Sequence, residues 1–190
     1  MPLSILFRHG HRHLNTGEIS GDGPLTKEGL ETVRIQAHQL AAELKRKDAG
    51  SIDCAIVSGS ARCAQTFAEI WRILLKKKII VHTFDMRAKY TASANEAKEW
   101  NALYAQHGVM LRAEIDRIGE KAAVMQHAGN LVKPCANRTI DGIKQAMKHG
   151  AETTLVVTHA PHDTDIAEAF TGKVYPDCLE LGHYRIIEWE

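Results

Sequence analysis

Residues 3–8, LSILFR, form a short apolar run that ends on an arginine, which predicts a buried strand. Gly17, Gly21, Gly23 and Pro24 then mark a loop. From Thr26 the period changes. Leu30, Val33, Ala37, Leu40, Ala41 and Leu44 recur at spacings of three and four, which predicts an amphipathic helix closed by Lys45, Arg46 and Lys47. Asp53–Val57 reads as a second strand, broken at Ser58-Gly59-Ser60. A second helix follows, with Phe67, Ile70, Trp71, Leu74 and Leu75 as its buried stripe and Lys76–Lys78 as its solvated end. The run IIVHTF predicts a third strand. TTLVVT, 153–158, predicts a fourth, followed by a short helix through Ile166, Ala167 and Phe170 and a last strand in HYRIIEW.

Residues 85 to 135 break this rhythm and are expected to be a helical insertion. Ser93 and Glu96 make a capping-box pattern, and Trp100, Leu103 and Tyr104 continue one helical face to Gly108. Leu111, Ile115, Ile118, Ala122 and Met125 predict another helix with a weak point at Gly119, and a further helix is expected from about Asn137 to His149. Strands that alternate with helices argue for an α/β fold with a mostly parallel sheet, here as one domain over residues 1–190. In such sheets ligands bind beyond the carboxyl ends of the strands. Those ends carry Arg8, His9 and Gly10, then Ser58 and Arg62, then Asp85, then His159.

Arginines and histidines converging on one point suit a phosphate group. Guanidinium forks match phosphate geometry and stay charged at any working pH, each charge-assisted hydrogen bond contributing about 1.5–3 kcal/mol. A neutral imidazole can attack phosphorus, and neighbouring arginines favour the neutral form. Net charge is only +1, so anion binding has to be local, and no broad footprint for nucleic acid or a membrane surface is present. The first apolar run is too short for a signal peptide, and no run is long enough to span a membrane. The four cysteines form no CxxC pair, which fits free thiols in a cytoplasmic protein. His11 and His13 lie two apart and could face a metal together, but no other ligand cluster lies near them in sequence, so they read as rim residues.

Four stretches carry a resemblance to a known family. RHGHRHLN resembles the RHG motif of the histidine phosphatase (phosphoglycerate mutase-like) superfamily, DGPLTKEG its D-x-PLT-x-x-G stretch, SGSARCAQT its S-x-x-x-R-A-x-Q-T stretch, and LVVTHAP the strand that ends in its second catalytic histidine. They occur in the family's order along nearly the whole chain. The resemblance implies a three-layer α/β/α fold and hydrolysis of a phosphate monoester or phosphoamide. His9 would be the phosphorylated nucleophile, Arg8, Arg62 and His159 would bind the phosphoryl group, and Asn15 would support it. No metal or organic cofactor is implied; the partner would be a small phosphorylated substrate or a phosphohistidine protein. Arg12 stands where the family often has Ser or Thr, and is expected to bind a second anionic group or lie on the rim. The mutase-type general-acid glutamate has no counterpart at the usual distance. Asp163, in a stretch that mimics the HD of the acid-phosphatase branch three residues late, is the first candidate acid, or simply a helix N-cap; Asp85 is the second. A phosphomutase and a catalytically inactive phospho-ligand-binding module are the competing readings. The sequence carries no signal for oligomeric state.

Overall fold

The computed structural model describes residues 2–13, 23–85, 98–99, 102 and 114–189, with the side chains of Phe84 and Asp85 outside the description. Five strands, β1 (Leu3–Arg8), β2 (Ser51–Val57), β3 (Ile80–Asp85), β4 (Thr153–Thr158) and β5 (Tyr184–Glu188), make one sheet in the order β3-β2-β4-β1-β5. β1, β2, β3 and β4 run parallel, and β5 adds an antiparallel edge against β1. The helices are α1 (Lys27–Arg46), α2 (Ala61–Lys76), α3 (Glu120–Lys148) and α4 (His162–Thr171).

The apolar runs are continuous because both faces of the sheet are covered. Successive side chains in a strand point to opposite faces. Ile5, Phe7, Ala55, Val57, Leu155 and Val157 pack with Val33, Leu40 and Leu44 of α1 and Phe67, Ile70 and Leu74 of α2. The intervening Leu6, Ile56 and Val156 pack with Ile140 and Ile143 of α3 and Ile166 of α4. Helices on both sides of a mostly parallel sheet give the expected three-layer α/β/α fold.

Thr26 caps α1, its hydroxyl accepting from Gly29 N, and Ser60 caps α2 in the same way through Cys63 N. Two expectations shift. On α2 the buried stripe is Cys63, Thr66, Phe67, Ile70, Ile73 and Leu74, whereas Trp71 is 40% exposed and Leu75 61% exposed. Each lies one position, or a quarter turn, beyond a truly buried residue, and Trp71 stacks on Phe67 along the helix surface. The second shift concerns the expected insertion. Its boundary at 135 falls inside α3, a single helix that runs through Pro134. A proline in a helix interior costs about 3 kcal/mol. Leu131, Val132, Cys135 and Ala136 are buried on both sides of it, and their packing carries the helix across. Residues 114–118 are helical too, and Gly119, with φ of 86°, separates them from α3. The capping pattern at Ser93 and Glu96 and the face formed by Trp100, Leu103 and Tyr104 lie outside the described residues. All four cysteines are free thiols, and no helix among the described residues is long and apolar enough to cross a membrane.

Candidate active site

The site lies beyond the carboxyl ends of β1, β2 and β4, which are adjacent in the sheet and in register, Arg8 opposite Thr158 and Val57 opposite Val157. The ladder extends by one bond on each side, His9 N to Thr158 O at 3.1 Å and Ser58 N to Val157 O at 3.0 Å. Three segments far apart in sequence therefore leave the sheet side by side.

The loop after β1 is fixed by close backbone contact. His11 O accepts from Thr26 N at 2.9 Å, Pro24 O accepts from His13 N at 2.8 Å, and Arg12 pairs with Leu25 across an antiparallel bridge. A Cβ on Gly10 would sit 2.7 Å from Gly29 O, and one on Gly29 would sit 2.2 Å from His11 O. Both glycines are thus required by the approach of the loop to the first turn of α1. The start of α2 ties this arrangement down. Gln65 accepts from Leu25 N at 2.8 Å, and Thr66 Oγ1 accepts from Gly10 N at 3.2 Å while donating to Arg62 O.

Within this frame His9, Arg62 and His159 come together. Arg62 Nε donates to His9 Nε2 at 3.2 Å and to His159 Nδ1 at 3.3 Å. The two imidazoles meet edge to face, with centroids 4.9 Å apart. His9 Nδ1 donates to Gly10 O at 2.8 Å, which leaves the Nε2 lone pair directed at Arg62. Burial first, then the charges of Arg62, Arg8 and Arg12, take the His9 pKa down to about 3, against the opposing Gly10 bond. His159 is likewise held well below the usual histidine range, by burial and then by His9, Arg62, His162 and Arg8. Both rings are neutral at pH 7, and His9 has the protonation state a nucleophile needs.

Arg8 is buried at the same strand end, and its charge acts on both histidines. Its fork points elsewhere, one nitrogen donating to Leu179 O at 2.6 Å and the other to Glu120 Oε1 at 2.8 Å. Nε, buried, has no hydrogen-bond partner among the described residues. Arg12 is half-buried, and its charge reaches His9. His11 and His13 are exposed. Asn15 lies outside the described residues, as does the side chain of Asp85, whose backbone closes β3.

Asp163 is fully buried at the start of α4 and makes no side-chain cap there. Its Oδ2 accepts from Leu179 N at 2.6 Å. Asp163 and Arg8 therefore grip the N–H and the C=O of one residue, in the segment that wraps over the end of β1. Gly182 N extends that wrap by donating to His9 O at 2.9 Å. The other Asp163 oxygen, Oδ1, is buried with no hydrogen-bond partner among the described residues. Sequence reasoning missed Glu120, Leu179 and Gln65. The first two carry no local signal, because their contacts with Arg8 span 112 and 171 positions. Gln65 stands in the same stretch as Arg62, but its bond to Leu25 N spans 40 positions.

Burial pushes the Asp163 carboxyl up to about 6, although the Leu179 N–H and the Arg8 charge favour its anion. An aspartate in an unfolded chain titrates near 3.9, so between about pH 4 and 6 the folded state holds more protons. The contribution is greatest below that window and falls as pH rises through it. Asp163→Asn keeps an acceptor for Leu179 N and is expected to abolish this decline, up to about 3 kcal/mol. Urea unfolding of both proteins at pH 4, 5, 6 and 7 measures it; parallel curves would refute the assignment.

Among the described residues no group of three or more His, Cys, Asp or Glu could hold a metal ion. The sequence matches the profile of the histidine phosphatase superfamily (branch 1) over residues 4–162. No match to a curated protein sequence is found. In fold the chain is similar to the protein histidine phosphatase SixA complexed with tungstate, at 14% identity over 98% of this chain and 94% of the other, with a TM-score of 0.57. It is also similar to a phosphoglycerate mutase from Bacillus anthracis, at 18% identity over 98% and 91% of the two chains, with a TM-score of 0.56. From the profile match over most of its length, the chain belongs to the histidine phosphatase superfamily, branch 1.

Proposed function

We propose that the protein hydrolyses a phosphate monoester or phosphoamide, without a metal, through a phosphohistidine formed on His9. The observation that carries this reading is the sharing of one Arg62 N–H between His9 Nε2 and His159 Nδ1. Both nitrogens aim at the same point, and a phosphoryl group that displaces the guanidinium from them meets a nucleophile, a second imidazole and a fixed positive charge at once. His9 Nε2 forms the N–P bond, the P–O or P–N bond breaks, and its electron pair leaves with the departing atom. Arg62 and the open Nε of Arg8 stabilise charge on the transferring oxygens, with Arg12 and Asn15 on the substrate beyond them. Water then attacks phosphorus and the N–P electrons return to His9.

The position of Asp163 bears on the substrate. Sealed and bonded to Leu179, it acts in this scheme as a positioning residue. A phosphoamide whose leaving nitrogen is protonated or weakly basic, as in phosphohistidine, needs little help from a protein acid; an alkyl ester would draw on Asp85. The likeness to a protein histidine phosphatase agrees with the phosphoamide preference.

The test is rapid quenching of the protein with phosphoramidate and with an aryl phosphate in EDTA. The expected result is acid-labile, alkali-stable phosphate on His9 and turnover without added metal. Label on another residue, or loss of turnover in EDTA, would refute the scheme. Incubation with 3-phosphoglycerate separates the alternatives: release of phosphate fits the phosphatase, isomerisation a mutase, and neither, together with binding, an inactive module.

A further inference from the structure

Ser58, the first residue beyond β2, stands behind the second histidine. Its Oγ lies 2.8 Å from His159 Nε2, and Ser60 Oγ lies further off at 3.4 Å. An arginine N–H can only donate. Arg62 donates to His159 Nδ1, so that nitrogen carries the lone pair, and the ring proton on Nε2 is donated to Ser58 Oγ. The site therefore presents two imidazole lone pairs. For His9 this is what attack requires. For His159 a lone pair facing an anionic phosphoryl oxygen is repulsive.

The repulsion disappears if Nδ1 takes up a proton. A phosphate monoester that binds as its monoanion carries one; with a second pKa of about 6 this form makes up about a tenth of the ester at pH 7. Transfer from P–OH to Nδ1 breaks one O–H bond, forms one N–H bond and leaves the total charge unchanged. The product is an imidazolium that donates from Nδ1 to the phosphoryl group and from Nε2 to Ser58. On the basis of the phosphatase reading, we propose that Ser58 is a positioning residue that fixes the tautomer of His159 and accommodates its imidazolium form when the phosphoryl group binds.

The surroundings make this state depend on the ligand. His9 and Arg8 face His159 from β1, Arg62 and Cys63 from α2, and His162 from α4. The charged groups among them, Arg8 and Arg62, are both positive and oppose protonation of His159. A dianionic phosphoryl group reverses that balance.

The experiment is 15N NMR of the histidine-labelled protein at pH 7, titrated with inorganic phosphate, for wild type, Ser58→Ala and Ser58→Thr. In wild type His159 is expected to be Nε2-protonated when empty and doubly protonated with phosphate. Ser58→Ala should lose the second proton and bind phosphate at least about 10-fold more weakly, as expected for loss of a hydrogen bond to a charged group. Ser58→Thr, which keeps the hydroxyl, should restore both. A singly protonated His159 in the wild-type complex, or an alanine variant indistinguishable from wild type, overturns the proposal while phosphate release on His9 still stands. Failure of wild type to bind phosphate would take the phosphatase reading down with it. If the alanine variant does not fold, the wild-type spectra and the threonine variant decide.

Discussion

Replacing His9 with alanine is expected to slow phosphate release by at least about 10⁴-fold, with the fold retained. The variant keeps Arg62 and His159 at the site, and with them the ability to bind phosphate, but it has no atom to form the N–P bond. Removing only one charge donor by Arg62→Ala should cost less, about 10²–10³-fold. The contrast separates nucleophile from electrostatic support. His9 is neutral, and its ring contacts are the bond to Gly10 O, the Arg62 donor and the edge of His159, so its loss leaves a small cavity and no orphaned charge. Steady-state assays with an aryl phosphate, paired with thermal unfolding, read both quantities. A His9→Ala protein that retains activity removes His9 as the phosphoryl acceptor, whatever the behaviour of Arg62.

Gly29→Ala should be the most damaging change outside the reacting groups. In an ordinary helix the substitution stabilises by about 1 kcal/mol. Here the new Cβ would lie 2.2 Å from His11 O and 2.8 Å from His11 N, both backbone atoms that cannot swing aside. The helix start or the loop must move, and the pairing of 11–13 with 24–26 is lost with it. Such overpacking costs about 3 kcal/mol, or roughly 10 °C for a chain of this size. Because His9 precedes that loop directly, activity should fall along with stability. Gly50→Ala is the control, since nothing lies within 4 Å of its Cβ position. A Gly29→Ala protein as stable as wild type would show that the loop yields at no cost.

The α/β alternation was legible because the central strands β1 and β4 are buried along their whole length and each helix buries one face. Periodicity failed where packing chose between neighbouring rotations, as at Trp71 and Leu75, and where packing overrode a breaker, as at Pro134. Of the site, His9, Arg62 and His159 could be read because each ends or follows a strand in a recognisable stretch. The surroundings of Arg8 could not, because Glu120 and Leu179 reach it only through the fold. For Asp163 the sequence offers an acid or a helix N-cap, and only the fold shows that it makes no side-chain cap and that its Oδ2 is bonded to Leu179 N, sixteen positions on.

The opening turn of α2 carries Arg62, Gln65 and Thr66, which hold the histidine pair, the Leu25 backbone and Gly10 respectively. The guanidinium cannot be retuned by shifting this turn without dragging the nucleophile's loop along. Natural variation and directed evolution alike must leave the block 62–66 nearly untouched and seek new substrates among the side chains that ring the pocket mouth.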